Sequence, residues 1–268
     1  LNFSKYFQDV DSAIKTVNLG VGSYVKLSDE IAVVSELSRP YINAYEQIGK
    51  IVDNLTFPDY SFPNIQFPTP DFSNVEELTK NNSKYGWTVT DETSIEFYFS
   101  DKLIGMNQKE MDRAFVEHLE ANDYENLNRI KSCIISTIEK NVKGLMLQCF
   151  KCYEMGLYAS IIPTLMILIE SEISAIAKSS KINWQLLRDF KKESPKLDED
   201  YLAAVALYSL NRFLKNQLYK DSKFYEKRPA IINRHWVLHG RDDPTNWTKA
   251  DALRLINVLG TIQMLKSL

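Results

Sequence analysis

The chain has 268 residues, with 32 Lys and Arg against 35 Asp and Glu, 44% hydrophobic residues and only 9 Gly and 9 Pro; this ordinary globular composition excludes a fibre, a charged tail or a linker. The length admits one large domain or two modest ones, each able to bury a core without staples. Three cysteines (Cys133, Cys149, Cys152) are too few for a secreted disulfide scaffold and point to a reducing compartment, the cytoplasm.

The longest apolar stretch, 161–169, stops at Glu170, so no membrane span is expected. The opening L-N-F-S-K-Y-F-Q-D-V-D lacks a basic and then apolar pattern, so no leader is read there. Charge is unevenly placed. Residues 1–180 hold 16 basic and 25 acidic side chains, a net -9, whereas 181–268 hold 16 and 10, a net +6. A positive third on an acidic body suits a polyanion approaching one face, and equally suits a solvated helical surface.

In residues 1–55, Ile31, Val34 and Leu37 and then Ile42, Tyr45, Ile48, Ile51 and Val52 have helical spacing, with Pro40 between them, which predicts two helices and a kink. Gly20-Val-Gly22 lacks the third glycine and helix start of a dinucleotide site and reads as a turn. From 57 to 74, four prolines (Pro58, Pro63, Pro68, Pro70) alternate with Phe57, Tyr60, Phe62, Phe67 and Phe72. That forbids a helix and gives an extended connector, docked by its aromatics or offered as a proline-motif ligand. Residues 86–100, G-W-T-V-T-D-E-T-S-I-E-F-Y-F-S, carry strand-like branched and aromatic density but are too short for a sheet, so a β-like hairpin or irregular insert is expected. Asn107 with Glu110 forms a capping signature, after which helical spacing covers 109–122 and 124–140.

Two apolar helical stretches follow, 143–155 and 157–179, divided at Gly156 and with Pro163 in or near the first turn of the second. Residues 186–192 are amphipathic, 193–196 break the pattern, and 200–218 carry Leu202, Val205, Ala206, Leu210, Phe213 and Leu214 as a core-facing set. Pro229 can start, and Gly240 can stop, a short helix of about three turns. Thr248 and Asp251 make a capping box before a last helix over 253–265. The expected fold is mainly α, divided into an N-terminal helical region with the β-like insert (1–105) and a helical C-terminal domain (106–268). No repeat period suggests a solenoid.

Two of the chain's three histidines fall in one segment, N-R-H-W-V-L-H-G at 233–240. His235 and His239, four apart, share a helix face as two metal ligands would, but no Glu follows His235 as in H-E-x-x-H and no third ligand lies nearby in sequence. Packed, hydrogen-bonded histidines beside Trp236 are a second reading. On the third, Arg234 and His239, five apart and about 140° around an ideal helix, diverge unless another helix or subunit completes a groove. Elsewhere, Cys149-Phe-Lys-Cys152 has redox-motif spacing but lies in an apolar helix, where core packing is expected. His118, on a charged amphipathic helix without a partner in sequence, reads as part of a solvated face.

The string R-H-W-V-L-H at 234–239 resembles the Arg-x-x-x-x-His signature of the HEPN superfamily (higher eukaryotes and prokaryotes nucleotide-binding). With Asn233 before it and a capped helix after it, the C-terminal end from about 143 to 268 resembles bacterial HEPN toxins and abortive-infection proteins; residues 1–105 carry no motif of that kind. The resemblance implies a C-terminal HEPN-like bundle and metal-independent RNA cleavage by 2′-hydroxyl attack on the adjacent phosphate, in a toxin or phage-defence effector, with no cofactor or metal. His239 would move the proton and Arg234 would hold phosphate oxygens. Asn233, His235 and Glu170, in I-L-I-E-S-E-I, would support them, each with a structural alternative: helix surface, neighbour of Trp236, and buried ion pair. It further implies a homodimer that places two motif helices in one groove, and leaves room for an antitoxin or regulatory protein. Lys215, Lys220, Lys223, Lys227 and Arg228, interleaved with Tyr219, Phe224 and Tyr225, together with Arg241 would bind RNA, or form a snorkelling solvated face. A non-catalytic HEPN-like module that binds nucleotide, RNA or a partner protein is the alternative function.

Overall fold

The computed structural model describes residues 75–90, 92–194 and 201–267. The helices expected before residue 55, the turn at Gly20 and the proline-rich connector lie outside the described residues, as do positions 195 and 196 of the expected break. The described part is mainly α-helical, with nine α-helices and no strand. In chain order they are α1 (Val75–Lys84), α2 (Ile95–Tyr98), α3 (Gln108–Thr137), α4 (Lys140–Glu154), α5 (Tyr158–Ala177), α6 (Asn183–Glu193), α7 (Tyr201–Phe213), α8 (Arg234–Leu238) and α9 (Lys249–Lys266).

Local chemistry explains most of the boundaries. Asn107 and Glu110 close a reciprocal capping box at the start of α3, and Thr248 and Asp251 do the same for α9, satisfying backbone donors that a helix start leaves free. Asn122, Asp123 and Tyr124 interrupt α3 with left-handed backbone, so its two halves match the two expected segments; the Asn126 amide bridges the break by donating to the His118 carbonyl at 2.9 Å. Gly156, at φ +78, turns the chain between α4 and α5. Pro163 lies inside α5, beyond its first turn.

α9 is the axis of the bundle. Its residues from Asp251 to Leu265 are all buried, against α5, α3 and α7. A helix buried all round must satisfy its polar side chains internally, and α9 has several. Arg254 donates to Asp112, to Asp251 at 2.6 Å and to the Tyr85 carbonyl at 2.8 Å. Gln263 donates to the buried Glu172 of α5 at 2.8 Å, and Lys266 reaches the same carboxylate at 3.1 Å. By length and composition α5 could cross a membrane, yet here its Ile162, Leu165, Leu168 and Ile169 lie in the protein core.

The β-like insert is not a strand. Trp87, Thr88, Val89 and Thr90 are buried without regular secondary structure, and side chains of three helices, not a neighbouring strand, bond to part of their backbone. Asn257 of α9 donates to the Thr88 carbonyl at 2.8 Å, Ser209 of α7 accepts from the Val89 amide at 3.2 Å, and the Tyr98 hydroxyl donates to the Trp87 carbonyl at 3.0 Å. Branched and aromatic residues suit any buried segment, so composition alone did not separate this one from a ladder. Gly260 makes the close approach to α9 feasible: a Cβ there would stand 3.0 Å from Ile130 and 3.2 Å from Thr90. Trp87 also stacks on Phe115 of α3 at 4.7 Å, so residues 75–105 and the helices after 106 share one apolar cluster.

Candidate nucleic-acid site around helix α8

α8 is just over one turn long, shorter than the three turns expected from Pro229 to Gly240. It starts at Arg234 because Asn233, 2% exposed, is its N-cap: the side-chain oxygen accepts from the Trp236 amide at 3.3 Å. The Asn233 amide donates to the Gln217 and Lys220 carbonyls at 2.9 and 3.0 Å, tying the helix start to the end of the π-helical turn Leu214–Leu218 and the residues after it. Asn233 is therefore buried and structurally committed; it is not on a helix surface. Gly240, at φ +64, ends the element after His239, and Trp236 and Val237 face inward, the indole N–H donating to Ser222 Oγ at 3.1 Å.

With that inner face fixed, Arg234 and His239 point to different surroundings. Arg234 turns toward α5 and α6. Its Nε donates to Glu170 at 2.5 Å, one Nη donates to Asn183 at 2.9 Å, and the guanidinium lies over the Tyr219 ring at 5.3 Å. The two charged side chains keep 14% and 19% exposure, so this is a rim contact and not a sealed one. Asn183 presents its amide oxygen from a backbone at φ +55, a left-handed conformation that asparagine tolerates better than most residues. The Tyr219 hydroxyl is buried without a partner, and burial together with the Glu170 charge pushes its pKa up, against the pull of Arg234. Tyr219 thus supports Arg234 and does not stand free among the aromatics before the motif.

On the other side, His239 is exposed and its ring meets His235 edge-on at 4.7 Å. His235 stacks flat on Phe224, 4.5 Å and 5° from it, and Phe224 in turn stands edge-on to His239 and under the guanidinium of Arg241 at 5.5 Å. Burial, then the neighbouring His239, lowers the His235 pKa; Arg234 adds to the lowering and Asp221 opposes it. Arg234 and His239 are thus held by different partners on two sides of α8, with His235 packed beside His239.

The remaining predicted residues divide. Lys223 and Arg241 are exposed beside Tyr225 and Phe224, and Lys227 is exposed as well. Arg228 is half-buried and occupied: it grips Asp242 through two bonds of 2.5 and 3.0 Å and donates to the Pro229 carbonyl, while Trp247 donates to the same carboxylate at 2.8 Å. It pins the loop after α8. Among the described residues no third His, Cys, Asp or Glu joins the His235–His239 pair as a metal-ligating group.

Asn183 and Asp242 carry no local sequence signal, because their partners lie 51 and 14 residues away; nor does His118 meet its expectation. It stacks on Phe97 at 3.9 Å with its Nε2 buried and unpartnered, and is not on a solvated face. Cys149 is buried in the core, where burial pushes its thiol up to about 11, and Cys152 packs beside it. Comparison with protein-family models, curated proteins and solved structures finds no match to this chain.

Proposed function

We propose that this protein is a metal-independent endoribonuclease of HEPN type, acting as a toxin or phage-defence effector. The observation that carries the reading is the exposed His239 beside His235 at the end of a short helix whose first residue is an oriented arginine. The RNA 2′-hydroxyl attacks the adjacent phosphorus, an imidazole takes its proton, the bond to the 5′-oxygen breaks, and that oxygen leaves with a proton. The products are a 2′,3′-cyclic phosphate and a 5′-hydroxyl end. His239 is the exposed proton carrier and His235 the second imidazole, while a guanidinium stabilises the charge that builds on the phosphate oxygens. A symmetric dimer that brings two motif helices into one groove would gather both copies of Arg234 and His239 there.

The second reading, a non-catalytic binding module, is favoured by one observation: Arg234 already spends two of its donors on Glu170 and Asn183. Purified Arg234→Ala and His239→Ala variants separate the two. On the nuclease reading each loses at least about 100-fold of RNA cleavage in EDTA while light scattering still reports the wild-type assembly, because one acid–base group, or one donor that stabilises transition-state charge, is worth at least about that much. Cleavage that survives both changes removes the assignment, and RNA binding without turnover in the wild type supports the module.

A further inference from the structure

We propose that the tight turn at 223–226 is a base-stacking platform for single-stranded RNA, with Tyr225 as the residue that receives a base. This rests on the nuclease reading only for its RNA substrate; the stacking site stands on its own geometry.

The Glu226 amide donates to the Lys223 carbonyl at 3.0 Å, which makes Phe224 and Tyr225 the two corner residues of a β-turn. Such corners normally carry Gly, Pro, Asn, Asp or Ser, which supply the backbone angles or the local side-chain hydrogen bonds that a turn uses. Here they carry two aromatics, Tyr225 at 81% and Phe224 at 40% exposure. The turn is not loose. Ser222, at its foot, is buried and accepts from the Trp236 indole, and Phe224 is held between the His235 ring and the Arg241 guanidinium. Tyr225 is thus a large flat ring displayed from an anchored turn, one residue from the histidine cluster, with Lys223 lying over it at 5.6 Å.

A ring so displayed can stack an unpaired base, whereas bases in a duplex already have stacking partners. Phosphate attraction is not what singles out the turn. Arg228 is consumed by Asp242, and the exposed Asp221 and Glu226 offset part of Lys223 and Lys227. Affinity led by stacking predicts a shallow dependence on salt and a preference for single strands.

The test uses the full chain and a fluorescein-labelled single-stranded oligodeoxynucleotide of about 12 nucleotides, which lacks the 2′-hydroxyl and so reports binding apart from cleavage. Tyr225→Ala should weaken binding by about 5- to 150-fold, the range of one lost base–aromatic stack, without changing the slope of log affinity against log salt. Tyr225→Trp should retain most of the affinity, and Tyr124→Ala, which removes an exposed ring on α3, should leave it unchanged. The same sequence as a duplex should bind more weakly than the single strand. Equal binding of strand and duplex, or a Tyr225→Ala variant that binds as wild type, overturns the proposal. Loss of binding in Tyr225→Ala beside a wild type that never cuts RNA upholds the platform and fails the nuclease instead.

Discussion

Arg254 in the middle of α9 and Arg234 at the start of α8 have the same kinds of partner in opposite surroundings. Each is paired with carboxylate and lies over an aromatic ring, Trp87 at 5.1 Å and Tyr219 at 5.3 Å. Arg254 is fully buried and gives donors to Asp112, Asp251 and the Tyr85 carbonyl. Arg234 sits at the rim and holds one carboxylate and one amide. The difference teaches that pairing does not mark a structural arginine here; burial does. A sealed guanidinium cannot be withdrawn without stranding two acids, whereas one at the rim can exchange a partner for a phosphate at little cost.

The comparison breaks first on stability. Arg254→Ala should destabilise the fold by about 3–5 kcal/mol, since it leaves Asp112 and Asp251 without their buried partner, while Arg234→Ala should cost about 1 kcal/mol. Urea denaturation followed by circular dichroism measures both, and equal losses would make Arg234 structural too. Asn233→Ala falls between them. It removes the cap of α8 and the side-chain donor to the Gln217 and Lys220 carbonyls, for about 1–3 kcal/mol, read from the same denaturation curves.

The smallest effect is in pH. Burial lowers the pKa of His118, and burial with nearby positive charge lowers that of His235. Both folded values lie below the ordinary histidine value, so the unfolded chain binds more protons in the interval between. Stability therefore falls as pH drops through that interval, by at most about 1.4 kcal/mol per pH unit for each group, and is fully present above it. His118→Phe, which can keep the stack on Phe97, should flatten the slope more than His235→Ala, because His118 is the more buried and its Nε2 has no partner. A slope unchanged in His118→Phe would show that other groups set it.

The helices were legible where their signals are local. The capping pairs Asn107 with Glu110 and Thr248 with Asp251, the turn at Gly156 and the apolar spacing of α5 and α7 all act within a few residues. Features set by distant partners were not. Residues 87–90 have strand chemistry but bind Asn257 and Ser209 of two helices, 169 and 120 residues away from their partners, so no neighbouring sequence could show that they are unpaired with a strand. The start of α8 depends on Asn233 reaching back to Gln217, and the role of Arg234 on Glu170, 64 residues earlier. The motif gave the residue types of the site; their division between two sides of one short helix needed the packing of Trp236 and Val237.

On the proposed function, an imidazole at the end of α8 lets an RNA 2′-hydroxyl cut its own backbone without a metal ion. The most direct measurement of that step maps a cleavage site in EDTA and repeats the reaction on the same RNA with one 2′-deoxy nucleotide immediately 5′ of the scissile phosphate. The account predicts 2′,3′-cyclic phosphate ends on the natural RNA and no cut at the substituted position. Cleavage through the deoxy nucleotide, or cleavage that returns only when a divalent ion is added, would contradict it.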